Sequence, residues 1–302
     1  MQKKLKIAII GAGKFGSYYA EKCFLNPNAI LVGLFDINLS KSISLAQKYN
    51  SRAYANLDEM LSDVDAVIIA TPAISHGDLA IKCLVSDKHC LIEKPIASNL
   101  NQAEEILFLS NNKPIVVQIG HQERIILKTI GLDNLPEKPS RITSSRLTRP
   151  SDRGRDVSVS LDLMIHDIDL ILMLIQEEPE YVTCKKIKGD ENFFHHSRAE
   201  IKFKNTIASL TASRASDVNE RSIELIYPSG FIKIDFQNKK MEHNTPFNLN
   251  EAFFDNEGVK DSLKAATNSF IDSILDGNKV SVSPKDGYNA LKLALAIDKD
   301  LV

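Results

Sequence analysis

The stretch LKIAIIGAGKFG, residues 5–16, constrains the fold of this chain more than any other. Its apolar run KIAII (6–10) has no alternating polar face, which is how a strand reads when both of its sides are covered. The run stops at Gly11, and GAGKFG then meets the GxGxxG spacing directly between a strand and a helix start. Alone that spacing is weak; in this context it has a mechanism. Gly11 permits a tight turn, Gly13 lets backbone approach a pyrophosphate, and Gly16 allows close packing of helix on strand. The N-terminus of the helix offers unspent N–H groups and a partial positive charge to phosphates. A glycine-rich turn without a ligand is the plainer alternative.

The same rhythm continues. Apolar strands AILVGLFD (29–36), AVIIAT (66–71), HCLIEK (89–94) and IVVQIG (115–120) are separated by helical patterns near 14–25, 40–49, 75–86 and 100–111. Such repetition predicts βαβ units and a doubly wound parallel sheet. After residue 120 the pattern changes. GLDNLPEKPS (131–140) is a turn-rich connection, and alternating strands follow: RITSSRL, YVTCKKIK, AEIKFK, IASLTAS, SIELIY and FIKIDF. Lys204-Asn205 and Pro228-Ser229-Gly230 stand where hairpin turns would join them. A mostly antiparallel open sheet with helices on one face is expected, closed by helices over 259–276 and 285–300. The fold class is therefore α/β. Residues 1–120 form a dinucleotide-binding Rossmann domain, and 121–302 a substrate-binding and oligomerisation domain whose last helix packs back on the first.

Lys and Arg total 37 against 39 Asp and Glu, a net charge of -2, so nucleic acid and anionic membrane find no electrostatic footprint. No apolar run approaches the roughly 20 residues of a membrane span, and the basic start MQKKLK leads into a strand rather than a signal peptide. Cys23, Cys83, Cys90 and Cys184 lack CxxC or finger spacing and read as reduced, packed thiols of a cytoplasmic protein. His195-His196 has no partners at metal-ligand spacing, so no metal is expected.

Further residues carry chemistry. Asp36 closes LVGLFD about 20 residues beyond the last glycine, where a carboxylate accepts hydrogen bonds from ribose hydroxyls. It repels a 2′-phosphate and no Arg follows it, which favours NAD over NADP; a turn cap is the alternative. Lys94, in EKP (93–95), ends a strand where ligands of open α/β sheets bind, and its ammonium suits a developing alkoxide. A solvated lysine fits that position equally. SLDLMIHDIDLILML (160–174) reads as a core helix yet carries Asp162, His166, Asp167 and Asp169. At about 100° per residue, Asp162, His166 and Asp169 share a stripe roughly 60° wide, with Asp167 about a quarter turn away. Imidazole suits proton transfer near neutral pH and a carboxylate can orient it; a satisfied polar pair in the core is the alternative. SSRLTRPSDRGRDVS (144–158) gathers Arg146, Arg149, Arg153 and Arg155 in one loop, fit for phosphate or simply solvated.

GAGKFG, Asp36, ATP (70–72), EKPIA (93–97), GHQER (120–124) and DLMIHDID (162–169) occur in this order. Together they resemble the Gfo/Idh/MocA family of nicotinamide-dependent sugar oxidoreductases, over essentially the whole chain. The resemblance implies that Lys94, Asp162 and His166 act at the substrate hydroxyl. It implies cofactor contacts from Gly11, Ala12, Gly13, Lys14, Phe15, Gly16, Asp36, Ala70, Thr71, Pro72, His76, Glu93 and Lys94. Arg124, Arg146, Arg153, Arg155 and Asp169 are the corresponding substrate candidates. It also implies NAD as cofactor, a small sugar or nucleotide-sugar substrate, and a homodimer or homotetramer formed through the C-terminal sheet. RGRDVSVSLDLMIHDIDLIL, IASLTASR and IELIYPSGFIKIDF are similar to a subgroup that oxidises the 3-hydroxyl of UDP-N-acetylglucosamine. The arginine loop would suit a UDP pyrophosphate; ERIIL (123–127) departs from the subgroup's ERFNP-like stretch. The alternatives are a free sugar or cyclitol as substrate, and a dinucleotide-sensing regulator without turnover. Retention of Lys94, Asp162 and His166 speaks against the regulator.

Overall fold

The computed structural model describes residues 4–150, 156–188 and 194–299. In the first part strands and helices alternate: β1 (Leu5–Ile10), α1 (Lys14–Leu25), β2 (Ala29–Phe35), α2 (Leu39–Lys48), β3 (Arg52–Tyr54), α3 (Leu57–Asp63), β4 (Ala66–Ile69), α4 (His76–Val85), β5 (His89–Ile92), α5 (Leu100–Asn112) and β6 (Val117–Ile119). The strands pair in the order β3-β2-β1-β4-β5-β6, all parallel. This is the doubly wound order, with its switch between β1 and β4, beyond whose carboxyl ends ligands bind. Ile7, Ile9, Ile68 and Leu91 are fully buried, as continuous apolar strands covered on both faces must be. β3 and α3 escape the sequence pattern because RAY is too short for periodicity to register. α3 nonetheless announces its start: the Asn56 side chain accepts from the N–H groups of Asp58 and Glu59.

The second part holds α6 (Arg124–Ile130), β7 (Arg141–Leu147), a π-helical turn (Ser160–Met164), α7 (Ile165–Ile175), β8 (Tyr181–Lys188), β9 (Phe194–Lys202), β10 (Ile207–Ser213), β11 (Glu220–Tyr227), β12 (Gly230–Asp235) and β13 (Lys240–His243). Its sheet runs β13-β12-β11-β7-β10-β9-β8. All neighbours are antiparallel except β7 and β10, which no hairpin joins. The expected turns at Lys204-Asn205 and Pro228-Ser229 are where β9 meets β10 and β11 meets β12. Burial alternates along β10, so one face of each strand is covered.

Short α8 (Glu257–Lys260), α9 (Ser262–Leu275) and α10 (Pro284–Lys299) close the chain. The single helix expected over 259–276 is broken by Asp261, which caps α9 by accepting the Lys264 N–H at 3.0 Å. The chain forms two compact units: residues up to Gln122 with Asp261–Tyr288, and Glu123–Lys260 with the chain from Asn289 on. So α9, assigned to the second domain by sequence, belongs to the first, where Phe270 and Ile271 join Ile7, Tyr19 and Ala20 in the core. Of the final helix, only the residues through Tyr288 count with the first unit. The four cysteines are free. Among the described residues no helix is long and apolar enough to cross a membrane, and no cluster of His, Cys, Asp and Glu could hold a metal ion.

Candidate active site

In the first unit the glycine turn between β1 and α1 is built from backbone. Gly11 has φ of 101°, and its N–H donates to the Phe35 carbonyl at 2.8 Å. A Cβ there would lie 2.6 Å from the Ala70 carbonyl oxygen, and one at Gly16 would run into the Gly11 carbonyl. These two glycines are demanded by the fold itself. Gly13 is different: its φ is -78° and a Cβ would meet nothing within 4 Å. Its missing side chain leaves open approach to backbone. α1 starts there with no side-chain cap and no acid in its first turn, so its first N–H groups are unspent on side chains. An open glycine before an uncapped helix fits a dinucleotide pyrophosphate.

Asp36 ties this turn to the end of β2. Oδ2 accepts the Ala12 N–H at 2.7 Å and Oδ1 the Asn38 N–H at 2.8 Å. The turn-cap alternative is therefore realised, while each carboxylate oxygen keeps capacity for a further hydrogen bond. Lys14 and Phe15 are exposed on the first turn of α1, and Ala70, Thr71 and Pro72 follow β4, partly or fully exposed. His76 is buried. Its Nδ1 lies 2.7 Å from the Pro95 carbonyl oxygen and its Nε2 2.9 Å from that of Thr71. The ring thus pins the turn after β4 to the EKP turn.

Lys94 is partly buried just beyond β5. Its neighbour Glu93 is buried: Oε1 accepts from the Tyr19 hydroxyl at 2.5 Å and from Gln122 Nε2 at 3.1 Å, and Oε2 accepts the Lys94 N–H at 3.1 Å. Burial raises the Glu93 carboxyl above its ordinary value, against the pull of Tyr19 and Lys94. Burial and then Glu93 also push the Tyr19 hydroxyl well up.

In the second unit Asp162 sits inside the π-turn, where the Ile165 N–H reaches back to the Ser160 carbonyl. Such turns concentrate at functional sites. Asp162 and His166 are partly exposed, with 22% and 18% of their side-chain surface accessible. The expected single polar stripe does not form, because Asp169 turns inward and is 1% exposed. It accepts Arg124 Nε at 2.8 Å and Nη2 at 2.6 Å. Asp167, also buried, accepts Arg146 Nε at 3.0 Å and Nη2 at 2.8 Å. Arg146 is no loop residue: it stands near the end of β7, buried, and its other face grips Glu123 at 3.0 and 2.7 Å. Arg221 on β11, stacked 4.7 Å over Phe236, brings Nη2 to 2.7 Å from the same carboxylate. Glu123 Oε1 lies 3.4 Å from His166 Nδ1. Burial opposes ionisation of Glu123, but Arg146, Arg221 and His166 overcome it and hold the carboxyl well below its ordinary value.

The sequence candidates thus divide. Arg124, Arg146 and Asp169 are held in buried ion pairs. Arg149 binds the backbone of Asp217 and the side chain of Asn219, and Arg153 and Arg155 lie outside the described residues. Glu123, Arg221 and Arg214 join these residues without being sequence candidates. Arg214 donates to the Val157 carbonyl at 2.5 Å and lies 3.9 Å from Asp162. Only Glu123 had a signal, its place in GHQER.

Residues 5–121 match the sequence model of the family described as "Oxidoreductase family, NAD-binding Rossmann fold" (Gfo/Idh/MocA). Over this domain the chain is similar to the Gfo/Idh/MocA oxidoreductases. The chain is 29% identical over 243 residues to UDP-N-acetylglucosamine 3-dehydrogenase of Acidithiobacillus ferrooxidans, covering 78% of this chain and 76% of that one. A solved structure of that dehydrogenase superposes with a TM-score of 0.90 at 26% identity, covering 98% and 97% of the two chains. Myo-inositol 2-dehydrogenase of Thermotoga maritima is 26% identical, over 98% of this chain and 96% of its own.

Proposed function

We propose that this oxidoreductase moves a hydride between a sugar carbinol and NAD, its substrate being the 3-hydroxyl of a UDP-N-acetylglucosamine-type nucleotide sugar. One observation carries the reading: partly exposed His166 beside a carboxylate held ionised, in a chain whose other unit carries an uncapped, glycine-lined helix start. Similarity to a UDP-N-acetylglucosamine 3-dehydrogenase along nearly the whole chain supports the substrate.

When bound, the nicotinamide supplies the hydride acceptor. Gly11–Gly16 and Asp36 would hold the dinucleotide, with Asp36 disfavouring a 2′-phosphate. Ala70–Pro72, Glu93 and His76 would line or brace its position. For the chain's own chemistry, His166 takes the hydroxyl proton, Lys94 stabilises the alkoxide as it forms, and Asp162 orients or charges the group around the substrate. The reading carries with it a cytoplasmic enzyme assembled as a homodimer or homotetramer through the sheet of the second unit.

The test follows NADH absorbance with UDP-N-acetylglucosamine, free N-acetylglucosamine, glucose and myo-inositol, each with NAD and with NADP. Turnover with the UDP-sugar and NAD is expected. A second reading, a cyclitol dehydrogenase, is favoured by the full-length similarity to myo-inositol 2-dehydrogenase. Turnover with myo-inositol and none with UDP-sugars selects it. NAD binding without turnover on any substrate overturns both and leaves a dinucleotide sensor.

A further inference from the structure

We propose that His76 is the positioning residue of the dinucleotide site and acts in its doubly protonated form. Nδ1–H holds the EKP turn, Nε2–H holds the turn after β4, and binding of the dinucleotide is thereby linked to a proton on this ring. This rests on the reading of both turns as cofactor contacts. His76 is 1% exposed, at the first position of α4. Its Nδ1 lies 2.7 Å from the Pro95 carbonyl oxygen and its Nε2 2.9 Å from that of Thr71. A carbonyl oxygen only accepts, and a neutral imidazole has one donor. With one proton the ring holds one turn, and the other carbonyl faces a lone pair inside the protein. The imidazolium makes both bonds.

The ring is fixed from both sides. Gly77, the next residue, brings α4 so close to α5 that a Cβ there would collide with the Gln102 side chain. Gln102 is itself held: its Oε1 accepts from Asn99 Nδ2 at 2.9 Å, and its Nε2 donates to Asp78 Oδ1 at 2.7 Å. The turn after β4 is closed by Ser75, whose Oγ lies 2.8 Å from both Thr71 Oγ1 and the Pro72 carbonyl oxygen. Thr71, Pro72, Glu93 and Lys94, four of the cofactor candidates, thus ride on two turns whose separation one buried ring sets.

The charges around the ring set the sign of the pH effect. Glu93 and Lys94 come from the EKP turn, Asp78 from α4 itself, and the turn at 70–75 carries no charged side chain. Burial raises the Glu93 carboxyl, while Tyr19, Lys94 and His76 pull against it. A charged ring and the Glu93 carboxylate therefore support each other, with Lys94 opposing a second cation. Tyr19, from α1, spends its proton on Glu93 and adds no charge. Asp78 is a further acid, already accepting from Gln102. Burial itself works against an imidazolium, so the second proton stays only while both carbonyls are within reach. A ligand that needs both turns in place therefore binds more tightly to the protonated ring, and its affinity falls as pH rises.

The test is calorimetric titration with NAD in buffers of different ionisation enthalpy, across the pH range over which 15N–1H imidazole spectra show the ring to titrate. The His76 signals are identified by their loss in His76→Gln, which keeps one donor and cannot titrate. In the wild type, NAD binding should take up to about one proton per site, and affinity should fall by up to about tenfold per pH unit as the ring loses its proton. The spectra of the NAD complex should show a proton on both nitrogens of His76. His76→Gln should bind NAD about tenfold more weakly, without that proton uptake and without that dependence on pH. Should His76→Gln not fold, His76→Asn replaces it, and the wild-type spectra of the complex decide alone if neither folds. NAD bound with a single proton on the ring, or proton uptake unchanged in a folded His76 variant, overturns the proposal and leaves the dinucleotide reading standing. A wild-type protein that binds neither NAD nor NADP overturns both.

Discussion

Around Gly11–Gly16 the first unit makes its site from backbone drawn from consecutive residues, whereas around His166 the second makes one from side-chain charges 21, 23 and 45 positions apart. The first kind is governed by sterics: a positive φ at Gly11, a carbonyl against Gly16, open space at Gly13. Nothing in it needs neutralising, because the ligand brings the charge. The second kind must neutralise itself. Six buried or half-buried ions, Glu123, Asp167, Asp169, Arg124, Arg146 and Arg221, are paired in the unit that carries His166, and each is tolerable only while its partner is present. The backbone site can lose a contact and persist; the charged one stands or falls as a set.

The largest effects should come from the side chains proposed to act on the hydroxyl, His166 in the second unit and Lys94 in the first. His166→Ala should lower kcat by about 10² to 10⁴-fold, the range of general acid–base catalysis. Lys94→Ala, which leaves the glycine turn whole, should fall in the same range. NAD affinity, read by fluorescence titration, should stay near wild type in both. A parallel loss of NAD affinity in His166→Ala would mean the two arrangements are not functionally separate. Next comes Asp169→Ala, which removes the buried bidentate partner of Arg124 and should cost about 3–5 kcal/mol in urea unfolding. Replacing both partners with apolar residues of similar volume should recover most of that. A small cost in the single variant would show that Arg124 does not depend on Asp169, and the contrast between the units would weaken.

That contrast also explains what could be read in advance. The doubly wound sheet was legible because strand, glycine turn and helix are local patterns with fixed physical meaning, and Gly11, Gly13, Gly16 and Asp36 stand where the spacing put them. The ion pairs were not. Asp167 and Asp169 could be recognised as awkward, but nothing local says that Arg146 on β7 or Arg124 on α6 answers them. Arg146 looked like part of a basic loop because its strand and the loop run together in sequence. Glu123 carries no local mark of its partners, standing in GHQER directly beside an arginine. The helical stripe fails at Asp169, three residues after His166 on the regular α7, because Arg124 from α6 pairs with it in the interior, and helical spacing says nothing of that partner. Asp261 interrupted a predicted helix, although Asp is a preferred cap.

A smaller and cleaner effect distinguishes the glycines. Gly13→Ala should fold normally, since its Cβ meets nothing within 4 Å, yet weaken dinucleotide binding roughly tenfold to 10²-fold. Gly16→Ala should instead lower Tm, because its Cβ collides with the Gly11 carbonyl. If Gly13→Ala binds NAD as well as the wild type, the open approach is not where phosphate sits.

The smallest effect is in the pH dependence of stability, and there Glu123 and Glu93 should have opposite signs. Glu123 is held below its ordinary value of 4.5 by Arg146 and Arg221 against the effect of burial. As pH falls, the unfolded chain takes up this proton first, so the stability Glu123 contributes is present above 4.5 and lost as pH drops toward its depressed folded value. Glu93 is raised above 4.5 by burial. There the folded chain binds the proton more tightly, so its contribution is full below 4.5 and is lost as pH rises through the raised folded value. Each slope is at most about 1.4 kcal/mol per pH unit. Urea midpoints measured across this range should show Glu123→Gln flattening the acid side and Glu93→Gln flattening the side above 4.5. If Glu93→Gln leaves the upper side unchanged, the Tyr19 hydroxyl stabilises an ionised Glu93. The first unit would then also hold a buried carboxylate, and the difference between a backbone site and a charge site would narrow to the glycines alone.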